Sequence, residues 1–315
     1  MSATTNSVRA GQAAHVHRFG RELPPRLLGV VMNLPTLVTL ALVLAYPIYY
    51  AAYLSMHKVT LVQLRTGVFP FVGFDNYLKV LDDPLFLLSL TNTLLFTAFT
   101  VVSEVVLSVA IAILINQQDI WTSRITRFLI LLPYAVPPIA NGLIWSFIYN
   151  GKLGFLNRLL YSVGIIDGPI DWTANADTAL YAVAVPYIWR TLPFAILLVH
   201  AALQGINKEL FEAASVDGAG AWPRFRHITL PLIMPVVVVL LVLRTSFAVA
   251  VFDEILAITQ GGPGDATWVA SWYSYKKGFA PPFDIGAGAA SAFLLALLVA
   301  TLAFIYIKLL YRRTD

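Results

Sequence analysis

The chain has 315 residues, of which 58% are hydrophobic and only 12% charged, with a formal net charge of +4. Soluble domains carry about a quarter charged residues, and several apolar runs here exceed the roughly 20 residues needed to cross a bilayer, so an ordinary globular protein is excluded. The positive charge is no nucleic-acid signal, because Lys and Arg gather at the ends of the apolar runs. The lack of cysteine excludes disulfides, thiolate chemistry and Cys-based metal sites.

Residues 1–26 read as a polar tail with Arg9, Arg18, Arg21 and Arg26, and not as a signal peptide. His15 and His17 are two apart, which puts them on different helical faces, so a solvated tail is favoured over a metal site. Six spans are predicted near 27–56, 88–115, 126–149, 178–203, 229–258 and 286–310. The expected fold class is therefore an all-α membrane protein, with residues 27–315 as one six-helix domain. Twelve basic residues border one side of these spans and seven the other. The positive-inside rule then puts both termini and the 204–228 loop in the cytoplasm.

Proline punctuates spans three and four at Pro133, Pro137, Pro138, Pro186 and Pro193. The carbonyls it frees need protein or water, so these helices either line a pathway or are kinked packing helices. Gly286, Gly288, Ala289, Ala290 and Ala292 offer a small-residue surface for close packing in the last span.

Three ionisable residues lie deep in the spans: Glu104, Arg190 and Arg244. They read either as an internal ion pair, Glu104 with one arginine, or as arginine donors for a hydroxyl-rich solute. Asp253 and Glu254 near the outer end of span five read as vestibule lining or as simply solvated groups. Adjacent carboxylates on a helix point about 100° apart and cannot flank one glycosidic bond. Aromatic residues belong first to interfacial belts. They also suit sugar C–H faces, and Asn141, Trp145, Tyr187, Arg190, Arg244, Phe252, Asp253 and Glu254 would make a pathway lining of that kind.

The most informative polar stretch is EAASVDGAGAWPRFRHITLP, residues 212–231. Asn207 is a fitting N-cap with Glu209 and Glu212 near the helix start, and Gly218 a fitting C-cap glycine. Pro223 suits the opening of a second helix. Ala213, Ala214 and Gly218 leave one face nearly bare, which is a docking shape.

The pattern Glu-Ala-Ala, three residues, Gly, nine residues, Ile-x-Leu-Pro is met by Glu212, Ala213, Ala214, Gly218, Ile228, Leu230 and Pro231. It resembles the cytoplasmic signature loop of permease subunits of binding-protein-dependent ABC importers. The resemblance implies a type I importer permease fold whose coupling helix, with Asp217 among its residues, fits a cleft on an ATPase subunit. Phe252-Asp253-Glu254, the Thr259–Pro263 run and Tyr273-Ser274-Tyr275 before Gly278-Phe279 are similar to carbohydrate permeases of the maltose and glycerol-phosphate type. In that family the loop bearing Gly261, Gly262 and Pro263 faces the binding protein. The likeness covers spans two to six; the maltose type with extra N-terminal spans and a large outer domain is not matched.

What the resemblance implies is a non-catalytic subunit on the bacterial cell membrane. It would pair with a second permease, two ATPase subunits that bind ATP and Mg, and an extracytoplasmic binding protein. The cargo would be a disaccharide such as trehalose, with maltose-like sugars and glycerol phosphate left open. No cofactor or metal is expected in this chain: Gly151-Lys152 runs into Leu153, so there is no Walker A loop, and no HExxH or GxSxG occurs. An ion-coupled secondary transporter or channel is the alternative, and it would need deep acids of which only Glu104 qualifies. No internal repeat supports it. An enzyme acting on lipid-linked sugars would need an acid/base or metal-binding cluster on one membrane face, and none is found.

Overall fold

In the computed structural model, residues 25–117 and 119–310 are described. Of the basic tail expected over 1–26, residues 1–24 lie outside them, as do Arg312 and Arg313, while Pro25 and Arg26 already belong to the first helix. All regular structure among the described residues is helical. Contacts divide the chain into two units, Met1–Ala51 and Ala52–Asp315.

In the first unit, α1 (Pro25–Leu40) passes through a π turn, Ala41–Ala45, into α2 (Tyr46–Ser55). Every described side chain from Leu28 to Tyr50 is exposed. A helix apolar on all sides and covered by nothing of its own is built for lipid or for another chain. Asn33 and Thr39 return their side-chain donors to the carbonyls of Gly29 and Pro35 four residues back, which lowers the polarity of the exposed face.

The second unit adds short outer helices α3 (Leu61–Thr66) and α4 (Asp75–Leu81), the long α5 (Pro84–Asn116), α6 (Ile120–Leu131), α7 (Pro138–Tyr149), α8 (Phe155–Ser162) and α9 (Ala176–Gln204). Then come α10 (Lys208–Val216), α11 (Ala221–Arg224), α12 (Leu230–Val249), α13 (Asp253–Ile258), α14 (Ala270–Phe279) and α15 (Ile285–Leu310). Five helical segments are long and apolar enough to span a membrane, or six if a bent pair counts as one span. That pair is the expected third span. It breaks by 94° between Trp121–Ala135 and Pro138–Tyr149, so it is not the continuous helix that hydropathy suggested. Pro133, Pro137 and Pro138 supply the cause: a 3₁₀ turn at Leu132–Ala135, then Pro137 extended, then Pro138 opening α7.

The expected fifth span also differs at both ends. It runs helically from Ala221 to Val249 and stops there, and α13 is a separate helix rather than the span's outer end. At its start, Pro231 removes an amide that would bond His227. The chain answers with a π turn at Phe225–Thr229, where the Leu230 amide reaches the Phe225 carbonyl five residues back.

α5 and α9 form the axis of the unit, with α12 against both. Ala112, Ala195, Val199, Ile233 and Leu240 fill the half of the core nearer α10. Phe96, Val183, Tyr187, Ile255 and Trp272 fill the other half. α5 buries a polar stripe at Ser89, Thr93, Thr97, Thr100, Glu104 and Ser108, spaced four or three apart as one helical face requires. Several of these hydroxyls bond their own helix, as Ser89 does to the Leu85 carbonyl at 2.6 Å and Thr100 to Phe96 at 2.8 Å. On α15, Gly286, Gly288 and Ala290 pack as expected, and a Cβ on Gly288 would stand 2.9 Å from the Gly278 backbone. Ala292 is exposed and takes no part; Ala287 does instead.

Candidate functional site

Three places hold the residues singled out in the sequence. The first is the segment from Asn207 to Pro231. The Asn207 side chain accepts the Glu209 amide at 3.0 Å and caps α10. At the other end, Gly218 sits at φ 76°, the Ala219 amide bonds the Ala214 carbonyl at 2.8 Å and the Gly218 amide bonds Ser215 at 3.1 Å. This is a Schellman ending, in which a residue with positive φ closes the helix. The Arg224 guanidinium donates to the Ser215 hydroxyl at 3.0 Å and ties α11 back to α10.

No residue of α10 is buried. Glu212, Ala213, Asp217 and Gly218 are exposed, Ala214 is half-buried, and Val216 is 89% exposed. A nine-residue helix capped at both ends that shows apolar groups to the outside is a surface waiting for a partner. Ile228 and Leu230 are half-buried and Pro231 is exposed. These three belong to the helix running into α12 and form the base of the segment rather than its face. Between this base and α5 lies an apolar cavity of about 930 Å³ that includes Val109, Ile113, Phe211, Trp222 and Phe225.

The second place is the middle of the helical bundle, where two ion pairs flank one tyrosine. Glu104, 0% exposed, accepts both the Nε and Nη2 of Arg244, the latter at 2.9 Å, and the Thr191 hydroxyl at 2.6 Å. That pins α5, α9 and α12 together. Of the two partners the sequence left open for Glu104, Arg244 is the one taken. Arg190 instead donates Nε and Nη2 to Glu254 Oε1 at 3.2 and 3.0 Å. Glu254 is 2% exposed, so it is neither solvated nor a free vestibule group; Asp253 beside it is half-buried. Tyr187 lies between the pairs, with the Arg190 and Arg244 guanidinium carbons 6.0 and 5.8 Å from its ring centre. Its hydroxyl has no partner among the described residues.

Asn141 is fully buried, donates to the Pro186 carbonyl at 3.1 Å, and leaves its own carbonyl oxygen unpartnered. It therefore clamps α7 to α9. Trp145 packs on Trp189 and Tyr149, with ring centres 6.0 and 5.4 Å apart. Thr97 and Trp272 also carry buried polar atoms without a partner. Hydrogen bonds that tie Glu254 to Arg190 and Thr191 to Glu104 were invisible in sequence because they join residues 64 and 87 apart. The α5 stripe at helical spacing was the signal that could have been read.

The third place is the outer loop after α13. Phe252, Trp272, Tyr275 and Phe279 form a run of rings with neighbouring centres 5.0 to 5.7 Å apart. Gly261 lies in a turn at φ 93° and is buried, and a Cβ there would stand 2.6 Å from the Trp268 indole nitrogen. Gly262 and Pro263 are half-buried; the exposed tip is Gly264 and Asp265. Asn92 on α5 donates to the carbonyls of Ala266 and Trp268 at 3.2 and 2.9 Å, and Thr93 accepts the Ala270 amide at 2.8 Å. At the start of α5, Asp83 accepts from Tyr273 and pairs with Lys277, each at 2.8 Å. The loop is strapped down, not loose.

Among the described residues no group of His, Asp and Glu could hold a metal ion. Residues 104–315 match the family described as binding-protein-dependent transport system inner membrane component. The trehalose/maltose transport system permease protein of Thermococcus litoralis is 35% identical over 91% of this chain and 95% of its own. The sulfoquinovosyl glycerol transport system permease protein of Agrobacterium fabrum is 34% identical over 92% of both. A chain in the crystal structure of a bacterial ABC transporter that imports the acidic polysaccharide alginate superposes with a TM-score of 0.77 at 22% identity, covering 92% of this chain and 96% of that one. The helical order, the docking-shaped α10 and these likenesses lead to one conclusion: the chain belongs to the inner membrane components of binding-protein-dependent transport systems, and is a multi-pass, non-catalytic permease subunit with the fold of a type I ABC importer permease.

Proposed function

We propose that the chain carries a carbohydrate, a disaccharide such as trehalose, from an extracytoplasmic binding protein into the cytoplasm of a bacterial cell. The observation that carries the importer reading is α10, capped at both ends and exposed along its length, which supplies a rigid lever for an ATPase subunit. Glu212, Ala213, Ala214, Asp217 and Gly218 are the face that docks; Ile228, Leu230 and Pro231 pass its movement into α12. A second permease of the same fold completes the passage, two ATPase subunits hold ATP and Mg, and both termini lie in the cytoplasm. The outer loop with Gly261, Gly262 and Pro263 meets the binding protein.

The substrate class draws support from relatives named for sugar and sugar-glycerol transport. It draws further support from the buried polar atoms of Thr97, Asn141, Tyr187 and Trp272, which have no partner among the described residues; Tyr187 and Trp272 share one half of the core. Buried polar atoms without partners cost free energy unless another state supplies them. In the open passage, sugar hydroxyls take that place and the rings face sugar C–H groups. Glu104 in its ion pair with Arg244 is not a free deep acid, which speaks against an ion-coupled transporter.

The test is sugar-stimulated ATP hydrolysis in the reconstituted complex of this chain with its permease, ATPase and binding-protein partners. Glu212→Ala and Gly218→Pro are expected to abolish or uncouple hydrolysis, and a sugar panel then ranks trehalose against maltose and glycerol phosphate. A chain that binds no ATPase and transports alone would overturn the reading.

A further inference from the structure

A second cavity, of about 430 Å³, lies where α5 and α9 end and α6 and α10 begin. It falls within the roughly 300–1,000 Å³ typical of ligand sites. Its polar lining is Asn116 on α5, Ser123 and Arg127 on α6, His200 and Gln204 on α9 and Lys208 on α10; among the described residues no carboxylate lines it. His200 is 3% exposed, and neither ring nitrogen has a hydrogen-bond partner among the described residues. Ser123 is 6% exposed and its hydroxyl is likewise unpartnered among them. Arg127 uses Nε on the Ser123 carbonyl at 3.1 Å, and its terminal nitrogens have no partner among the described residues.

The carboxylates nearest in sequence are already engaged. Asp119 accepts the Trp121 and Thr122 amides at 3.0 and 3.1 Å, and Glu209 accepts from Asn207 at 3.0 Å. The cavity thus holds two cations, an imidazole, a hydroxyl and two amides, with nothing negative to balance them.

Of these groups Ser123 and His200 are buried, Arg127 is half-buried and Asn116, Gln204 and Lys208 are exposed, and together they match an anion with several acceptor oxygens. We propose that this cavity binds a phosphoryl group, carried either by an anionic phospholipid headgroup or by a soluble phosphate ester. Basic pockets between helix ends at a membrane surface are suited to headgroup phosphates, and a guanidinium fork suits phosphate oxygens in pairs. The occupant bridges α6 and α9 to Lys208, the first residue of α10, and so fixes the root of that exposed helix. This inference needs only the fold, and it stands whether or not the cargo is a sugar.

The experiment uses the purified full-length chain in its complex. In one arm, native mass spectrometry counts dioleoylphosphatidylglycerol retained from mixed micelles, with dioleoylphosphatidylcholine as the comparison. In the other, calorimetry measures binding of inorganic phosphate and of glycerol 3-phosphate. Arg127→Gln with Lys208→Gln is expected to weaken the binding ligand at least tenfold, and Arg127→Lys to recover part of it. Lys208→Gln alone, at an exposed position that folding does not need, is expected to weaken it in the same direction. Loss confined to phosphatidylglycerol identifies a lipid source; loss in the calorimeter identifies a soluble one. If neither ligand binds the wild type more tightly than the double variant, the proposal is overturned.

Discussion

Replacing Glu104 by Ala tests whether the central ion pair holds the helices or serves the cargo. Arg244 is 4% exposed and takes its charge partner from Glu104 alone, so the substitution strands a buried guanidinium. Losing one partner of such a pair costs about 3–5 kcal/mol, whereas replacing both by apolar groups of similar size is near neutral. The structure favours that second outcome for Glu104→Leu with Arg244→Met. Thr191 loses its carboxylate acceptor in the double variant, but its hydroxyl keeps the Tyr187 carbonyl at 2.7 Å and is not orphaned. Equilibrium unfolding of the purified chain in mixed micelles, run as a double-mutant cycle, is expected to give a coupling energy of about 6 kcal/mol or more, because each single variant strands a buried charge and the double variant strands none. Single costs that add to within about 0.5 kcal/mol would refute the reasoning, since independent sites behave that way. Transport by the double variant supplies the second reading. Stability restored with transport intact means the pair is structural; stability restored with transport lost means the two charges act on the solute.

Gly218→Ala puts a Cβ into open space but at φ 76°, so it is expected to cost about 1–2 kcal/mol of local helix-end stability without a clash, visible as faster amide exchange in α10. Gly261→Ala is expected to do more damage, because the Cβ meets Trp268 and Trp272 while φ is 93°. The thermal midpoint of the solubilised complex and binding-protein-stimulated ATP hydrolysis should both fall further than for Gly218→Ala. Burial works to raise the Asp83 carboxyl, but hydrogen bonds from Lys277, Tyr273 and the Leu85 amide outweigh it and hold the pKa below 3.8. With the folded value depressed, Asp83 stabilises the fold above the unfolded pKa and the effect fades as pH falls through the folded one. Asp83→Asn is therefore expected to lower the thermal midpoint at pH 7 and to flatten its loss below pH 4; equal slopes for both proteins would count against this.

What the sequence made legible was what local chemistry decides. Asn207 and Gly218 act within a turn of their own positions, so their roles as caps could be read from residue type and spacing and are found in the structure. Hydropathy located each long apolar run, yet it cannot see a break that burial does not alter. Ala250, Val251 and Phe252 interrupt span five without a glycine or proline, and the run stays apolar through the interruption. The cause lies elsewhere in the fold. Gly142 on α7 admits Ala257, with no room for a Cβ there, and Arg190 on α9 holds Glu254, so α13 is drawn off the axis of α12 by two elements distant in sequence. The same logic explains Gly261, whose glycine-rich surroundings suggested a turn or exposed loop and which the indoles of Trp268 and Trp272 bury. Each local expectation that changed did so where a long-range partner made a different placement cheaper, and those partners cluster around Tyr187 and the outer loop. Two of the four buried polar atoms without a partner among the described residues, those of Tyr187 and Trp272, belong to that cluster. The helices bend here to assemble ion pairs whose partners, Arg190 with Glu254 and Arg244 with Glu104, only the tertiary structure brings together.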